Sequence, residues 1–450
     1  MKITRPSILL YCLLASVPLW GQNAVLQAYV QAGYENNLAL RQKEFDLEKS
    51  QLALRESKRL FYPNIDLGAN YTLAGGGRTI SIPVGDLVNP IYQTLNQLTQ
   101  SNQFPMVENQ ETKFLPNNFL DARVRTAMPL INPDIKLGQA AKADMVALQA
   151  DGIALYKRDL AAQIKTAYLD WLAAGEAVRI YENTLGLLRE NLRVNEALLR
   201  NDMVNRSPVL EAESRLRETE ADLLGARNQV AVAAAYFNFL LNRPLETPLE
   251  TVDLGSPDSL LVLPLLPMDA ASAEEIHQLN TALSLSAKQL ELEKTWNKPR
   301  LNAFLDLGAQ GFVTDLDKNA PYFLLGAQLQ WNLFDFGKNS LRQQQAELGT
   351  QQLATQKTEV QAQLALREFS ARQNLVAALE VYLASDGSLA SAKEYYRTAE
   401  KTWRNDQANY LQLTDARTRL TTASLRRSLD KFEVLKKLVA YERASYREVL

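Results

Sequence analysis

The segment Arg200-Asn201-Asp202 returns later in the chain as Arg404-Asn405-Asp406. Downstream of each, Glu211-Ala212-Glu213-Ser214-Arg215-Leu216 returns at the same offset as Asp415-Ala416-Arg417-Thr418-Arg419-Leu420. A repeat of this length contains far more residues than one unit of a solenoid. The sequence therefore predicts two large copies of one strand-and-helix module.

Composition excludes several classes of function. The 450 residues carry a formal net charge of -2, and their charges are spread along the chain without basic runs, so we expect no nucleic-acid partner. We find no nucleophile elbow, phosphate loop or zinc motif, and we expect neither an enzyme nor a cofactor nor a metal site. The single histidine, His277, is interpreted as structural, and Asp315-Leu316-Asp317 as a polar turn.

Residues 1–22 have the pattern of a secretory signal peptide. Lys2 and Arg5 precede an apolar stretch that is too short to span a bilayer, and cleavage is expected near Gly21 or Gln22. The single cysteine, Cys12, lies within this segment. The sequence therefore predicts an exported chain that needs no disulfides.

Long stretches without proline predict two long helices, at about residues 134–202 and 339–403. The first would run roughly 100 Å at 1.5 Å per residue. Its apolar residues alternate in steps of four and three, which is typical of a coiled-coil seam, although an ordinary bundle core has a similar pattern. The seam consists of Leu160, Ile164, Ala167, Trp171, Ala174, Val178, Tyr181, Leu185, Leu188 and Leu192.

Four segments alternate apolar and polar residues with a period of two, which predicts strands at about residues 63–73, 119–130, 300–311 and 322–333. A strand of about ten residues with one apolar face suits an outer-membrane sheet, with lipid on one side and water on the other. A half-buried sheet of a soluble protein is the plain alternative. A long loop is expected between the first two strands and a short one between the last two.

These elements give the domain organisation. After the signal peptide we expect a first repeat over residues 23–243, an equatorial linker rich in proline over 244–270, and a second repeat over 271–450. Each repeat contains a helix, two strands and the long helices. Four strands cannot close a barrel, and an open edge in hydrocarbon leaves backbone groups unpaired. Because bacterial barrels begin at about eight strands, at least two copies are needed, and three would give twelve strands.

The order and duplication of these elements resemble the TolC-like outer-membrane efflux proteins, also called outer membrane factors. Trp331-Asn332-Leu333-Phe334-Asp335-Phe336-Gly337, at the entry into the second long helix, and the segments 203–216 and 407–420 carry the resemblance. It implies a mostly α fold with membrane β structure: long antiparallel coiled-coil helices and four strands per chain, assembled as a homotrimer with a twelve-stranded β-barrel in outer-membrane lipid and a twelve-helix α-barrel in the periplasm. It also implies a periplasmic adaptor protein and an inner-membrane transporter as partners.

The resemblance places a pore constriction at the periplasmic tip. Asp415 lies at an acidic position of this constriction, and Glu211 is its counterpart in the first copy. For Glu211 the alternative is a favourable interaction with the dipole of a helix that begins at Ser207 and Pro208. Gln412 and Ala408 stand where the family has an acid and an arginine. The residues expected to contact the adaptor are Asn201, Asp202, Met203, Asn405, Asp406 and Gln407.

The implied function is a channel-tunnel of a tripartite efflux or type I secretion system, which conducts substrates passively from an inner-membrane pump and is gated at its tip. A periplasmic adaptor and a structural coiled-coil protein are the alternatives. An adaptor has one helical hairpin and a coiled-coil filament has no strands, whereas this sequence predicts two hairpins and four strands.

Overall fold

The computed structural model describes residues 24–252, 254, 257, 273–313, 320–404 and 410–446. The predicted signal peptide, the segment Asp315-Leu316-Asp317, the tip residues Asn405, Asp406 and Gln407, and Ala408 lie outside these ranges. In chain order the helices and strands are α1 Ala24–Asn36, α2 Leu38–Lys58, β1 Asn64–Thr72, β2 Thr79–Ile82, α3 Val84–Thr99, β3 Gln110–Lys113, β4 Phe119–Ile131, α4 Pro133–Arg200, α5 Ser207–Leu240, α6 Glu274–Lys294, β5 Arg300–Phe312, β6 Pro321–Gln330, α7 Lys338–Arg404 and α8 Tyr410–Ser445.

The two long helices agree closely with their predicted bounds. α4 has 68 residues and α7 has 67. Each begins beside a short polar side chain that accepts a hydrogen bond from a free backbone N–H of the first turn. Asn132 Oδ1 accepts from the N–H of Asp134 at 3.1 Å, and Asp335 Oδ2 accepts from the N–H of Asn339 at 2.7 Å. The two copies therefore start their long helices by the same chemistry.

The chain forms two compact units, and each contains segments of both predicted repeats. The first, the helical unit, consists of Met1–Gln51, Asp144–Leu285 and Gly349–Leu450. The second, the sheet unit, consists of Leu52–Ala143 and Ser286–Leu348. The repeat boundaries at 23–243 and 271–450 stay a prediction.

The core of the helical unit contains much of the predicted α4 seam. Leu160, Ile164 and Ala167 are buried against Leu26 of α1 and Phe237 of α5. Ala174, Leu185 and Leu188 are buried further along the same helix. A second cluster joins α7 to α8 and consists of Leu375, Leu379, Tyr382, Val434, Leu438 and Tyr441. The apolar stripes are thus the surfaces along which the helices pack.

One network of charged side chains, centred on Glu275 and Arg443, connects four helices of this unit. Glu275 of α6 accepts hydrogen bonds from Arg443 of α8 and from the Tyr446 hydroxyl, and it lies 3.3 Å from Arg367 of α7. Arg443 also pairs with Asp159 of α4. Burial raises the pKa of Glu275, but the hydrogen bonds from Tyr446 and Arg443 outweigh burial and hold that pKa below its ordinary value. Burial and the bond to Glu275 raise the pKa of Tyr446 to about 12.

The sheet unit is built on four antiparallel strands in the order β1-β4-β5-β6. The four predicted strands are therefore confirmed, with one correction at the last. β6 ends at Gln330, three residues before its expected end, although the apolar–polar alternation continues to Leu333. The reason is a tertiary contact: Trp331 Nε1 donates to the carbonyl of Asn297 at 2.8 Å, and Asn332 Nδ2 donates to that of Trp296 at 3.3 Å.

The connection between β1 and β4, expected to be a loop, contains regular structure. β2 and β3 pair as an antiparallel hairpin, and α3 lies between them in the chain. The glutamines and asparagines of this stretch suggested a loop. Several of the asparagines instead bond to the backbone of a neighbouring segment and stabilise the connection.

A glycine in the core of the helical unit provides a test of packing. A Cβ at Gly33 would lie 2.3 Å from Ile164 Cδ1 and 3.3 Å from Leu241 Cδ2. We expect Gly33→Ala to destabilise the unit by about 1–3 kcal/mol through overpacking. The measurement is the thermal midpoint followed by circular dichroism.

The matched comparisons are a second-site change and an open glycine. Ile164→Val removes the clashing methyl and should recover much of the midpoint in the double variant. Gly186, with nothing within 4 Å of its Cβ position, should tolerate alanine or gain from it. Equal midpoints for Gly33→Ala and the unchanged chain would contradict the close approach.

Candidate functional site

The sheet has one apolar face that is exposed along its length. Rows of side chains run across the four strands, and one row joins Leu67, Val124, Leu307 and Phe323. Leu67 is 79% exposed and Phe323 is 77% exposed. Large exposed patches of this kind mark surfaces that contact another molecule or lipid.

The opposite face carries a charged pair in its middle. Arg125 of β4 donates to both carboxylate oxygens of Asp306 of β5, at 2.7 and 2.6 Å. The Asp306 side chain is 1% exposed and that of Arg125 is 43% exposed. The guanidinium carbon of Arg125 also lies 5.1 Å from the centroid of the Phe304 ring. Bidentate geometry fixes both side chains, so this pair also marks the register of β4 against β5.

Two glycines on this polar face make room for aromatic rings of the neighbouring strand. A Cβ at Gly326 would lie 2.6 Å from the Phe304 ring, and one at Gly308 would lie 2.7 Å from the carbonyl oxygen of Ala122 and 3.0 Å from the Tyr322 ring. Both pairs are register partners between β5 and β6. Tyr322 reaches on to Asp121, where its hydroxyl donates to the carboxylate at 3.0 Å. The rings thus cover bare backbone and hold the last two strands together.

The turn after α4 contains one residue in the left-handed conformation, which asparagine and aspartate tolerate. Asp202 has φ of 56°. Its N–H donates to the carbonyl of Leu199 at 3.1 Å, and the N–H of Met203 donates to that of Leu198 at 3.0 Å. These two bonds form the Schellman motif, in which asparagine or aspartate replaces the usual glycine. Asn201, Asp202 and Met203 are exposed at the end of the hairpin.

Glu211 lies on the exposed side of α5, shortly after its start at Ser207. Its carboxylate pairs with Arg215 one turn later at 3.1 Å, and Arg215 also pairs with Glu218 at 3.2 Å. Glu211 is the fifth residue of α5 and lies beyond its first turn, where the effect of the helix dipole has largely fallen off, so both interpretations of this residue stay predictions.

Asp415 has partners on two helices. On α8 it pairs with Arg419 at 2.8 Å, and on α7 it accepts a hydrogen bond from the Tyr395 hydroxyl at 3.2 Å. The Arg419 guanidinium carbon also lies 5.5 Å from the centre of the Tyr395 ring. An aspartate, an arginine and a tyrosine therefore form a small cluster near the end of the α7–α8 hairpin.

The structure does not bring the two acids into one cluster: each of Glu211 and Asp415 has its partners within its own copy. The copies do meet nearby, where Arg417 Nη1 donates to the carbonyl of Leu187 at 3.3 Å and the hydroxyls of Thr184 and Thr421 lie 3.2 Å apart. Sequence reasoning missed Tyr395 and Arg417. A signal was present for Arg417, since Arg417 and Arg419 follow Asp415 in the repeated motif, but nothing beside Asp415 in the sequence marks Tyr395.

A metal cluster and a membrane-spanning helix are both absent from the described residues. Within the described ranges, no group of three or more His, Cys, Asp or Glu side chains could hold a metal ion. No helix in the described part of the chain is long and apolar enough to cross a bilayer. His277 is exposed on α6.

Comparison with solved structures identifies the fold. The CusC channel matches with a TM-score of 0.74 at 13% identity, over 94% of this chain and 92% of that one. The outer membrane protein VceC of Vibrio cholerae matches with a TM-score of 0.72 at 14% identity, over 95% and 97%. The open state of the Neisseria gonorrhoeae MtrE outer membrane channel matches with a TM-score of 0.72 at 16% identity, over 94% and 89%.

The chain has the fold of TolC-like outer-membrane channels. The resemblance inferred from the repeats is therefore confirmed at the level of the fold, over nearly the whole chain. By sequence alone the chain matches no family model and no curated protein. The shared architecture, and not residue identity, carries the relationship.

The two partners of the ion pair between Arg125 and Asp306 differ in exposure, so loss of one should cost more stability than loss of the other. Arg125→Met leaves the enclosed Asp306 carboxylate without its partner, whereas Asp306→Asn leaves the half-exposed Arg125 free to meet water. We expect Arg125→Met to lower the thermal midpoint of the purified protein more than Asp306→Asn does. The double variant Arg125→Met/Asp306→Leu should lie above Arg125→Met alone. The reverse order of the two single variants would contradict the pairing.

Proposed function

We propose that this chain is an outer-membrane channel of a Gram-negative bacterium, part of a tripartite efflux or type I secretion system. In this role it is not an enzyme. It conducts substrates passively from an inner-membrane pump to the outside, and its helices extend into the periplasm. The shared fold supports the channel role, and the sheet supports the location.

The observation that carries the proposal is the combination of one exposed apolar face with two open edges. Among the described strands, β1 and β6 each pair on one side only. Unpaired backbone groups in hydrocarbon cost several kcal/mol each, so a sheet placed in lipid has to continue into another sheet. A soluble sheet would leave Leu67, Phe323 and their neighbours in water.

Three copies satisfy this requirement in our proposal. The β1 edge of one protomer pairs with the β6 edge of the next, which closes a twelve-stranded barrel about a threefold axis. The apolar rows then face lipid, and the row of Arg125 and Asp306 faces a water-filled interior. The long helices of the three copies form a twelve-helix tunnel in the periplasm.

The hairpin ends are the proposed regulatory region. The exposed turn Asn201-Asp202-Met203, together with Asn405, Asp406 and Gln407, contacts a periplasmic adaptor, and the adaptor shifts the helices from a closed to an open arrangement. Asp415 lines the constriction of the closed state. Its ion pair with Arg419 is half exposed, and such pairs contribute little to stability, so the carboxylate can change partners.

The two alternative functions have less support. A periplasmic adaptor or a coiled-coil filament gives no role to a sheet whose long apolar face is exposed. The shared fold also extends over more than nine tenths of the solved channels CusC and VceC.

Assembly is tested on the full chain expressed in a Gram-negative host. We expect it in the outer-membrane fraction, and we expect light scattering in detergent to give the mass of three copies. Unheated gel samples should migrate as an oligomer that dissociates on boiling. A water-soluble monomer obtained without detergent would refute the proposed function.

The constriction is tested by single-channel recording. Asp415→Asn removes one negative charge per protomer from the proposed ring, so we expect weaker preference for cations and weaker block by multivalent cations. Glu211→Gln is the comparison variant, because Glu211 pairs with an arginine of its own helix as Asp415 does; reduced cation preference in both variants would place both acids at the constriction. Equal cation preference in Asp415→Asn and the unchanged channel would exclude Asp415 from the constriction.

A further inference from the structure

Helix α3, in the connection between β1 and β4, is fixed in orientation by an unusual set of hydrogen bonds. Asn89 donates to the carbonyl of Val107 at 2.9 Å and accepts from its N–H at 2.8 Å. Two turns later, Asn96 makes the same pair of bonds with Phe104, at 2.8 and 3.1 Å. Each asparagine therefore satisfies a backbone donor and acceptor of the facing segment, as a neighbouring strand would.

Further contacts support the same attachment. Tyr92 packs on Phe104 with ring centroids 5.6 Å apart. A Cβ at Gly85 would lie 2.3 Å from the carbonyl oxygen of Val107, so the helix approaches the segment closely at its start. Asp86 and Asn109 are joined through the Asn109 amide at 3.1 Å. Rotation of α3 about its axis would break all of these contacts.

With this orientation, α3 turns an apolar stripe toward solvent. Leu87 is 69% exposed, Ile91 is 59% exposed and Leu98 is 77% exposed. At 3.6 residues per turn these positions and Thr94 lie within about 60° of one another, roughly opposite to the asparagines. The Thr94 hydroxyl donates to the carbonyl of Pro90 at 2.9 Å, so Thr94 needs no other partner and can present its methyl group.

The spacing of the stripe indicates what covers it. The steps from 87 to 91, 94 and 98 are four, three and four, which is the spacing of a coiled-coil seam with isoleucine at one a position and leucine at one d position. A helix lying on a membrane surface carries basic residues along its polar side, and α3 contains no lysine or arginine. Its one charged residue, Asp86, lies about 110° from the centre of the stripe, so two identical helices can approach along the stripe with these carboxylates held apart.

The position of α3 in the chain points to a second copy as the partner. The connection leaves directly from β1, an edge strand of the sheet. It starts after Thr72. The other end of β1, at Asn64, follows α2 and pairs with the end of β4 that leads into α4. In the proposed trimer, which this inference presupposes, each such connection extends from a strand that pairs with the next protomer.

We propose that α3 is a self-association helix, whose Leu87–Ile91–Thr94–Leu98 stripe packs against the same stripe of the other protomers. The contact joins the three connections at the outer end of the sheet and adds a second interprotomer seam, separate from the strand edges. It also gives the exposed leucines and isoleucine an apolar environment.

Cysteine cross-linking tests this on the full chain in isolated outer membranes. The background is Cys12→Ser, which removes the single native cysteine. Ile91→Cys and Leu98→Cys place a thiol on the stripe, and Gln93→Cys places one on an exposed position of the same helix about 130° from the centre of the stripe. We expect mild oxidation to give a covalent dimer for Ile91→Cys and Leu98→Cys but not for Gln93→Cys, and a three-armed maleimide to give covalent trimers.

The outcomes separate this inference from the proposed function. If light scattering gives three copies but neither stripe variant cross-links, the self-association of α3 is refuted and the channel proposal stands. If the variants are monomers, both fail. Equal cross-linking of all three variants would refute the specific seam. Quenching of a fluorophore at Ile91→Cys by spin-labelled lipid, without cross-linking, would show that lipid covers the stripe and would refute the inference.

Discussion

Unpaired backbone groups along the outer edges of β1 and β6 are the constraint on which the proposed assembly depends. Water can form hydrogen bonds with these groups and hydrocarbon cannot. The exposed apolar face and the open edges therefore both support an assembly of several copies in lipid. The aromatic rings of Phe304 and Tyr322 over Gly326 and Gly308 give the internal strand pairs extra contacts. In the proposed trimer the outermost pairs form with a second copy, so that oligomerisation is part of folding in lipid.

The two aspartates of interest differ in how firmly they are held. Asp306 is enclosed and paired in two places with an arginine of another strand, which fixes it and the register around it. Asp415 is half exposed, and its arginine lies one turn away on the same helix. An exposed pair at this spacing is worth only about 0.3–0.5 kcal/mol. In the proposed channel, the fixed Asp306 suits the rigid wall of the barrel, and the half-exposed Asp415 suits a group that changes partners when the helices move.

The sequence alone determined the type and length of the large elements. Proline-free stretches predicted α4 and α7, four-three spacing predicted the seam of α4, and period-two alternation predicted the four strands, because these signals are local and repeat many times along each element. The duplicated motifs around Asn201 and Asp415 predicted the two-copy organisation. The left-handed turn at Asp202 was also predictable, since the requirement for a positive φ is a property of one residue.

Only the tertiary structure decided what depends on distant partners. Arg125 and Asp306 are 181 residues apart, and nothing local specifies their register. The end of β6 at Gln330 is set by Trp331 and Asn332, whose side chains bond to the chain before β5. α3 was missed because the asparagines that suggested a loop are the residues that anchor it. An asparagine looks the same in the sequence whether its side chain binds water or the backbone of another segment. Only the tertiary structure brings that segment within hydrogen-bonding distance.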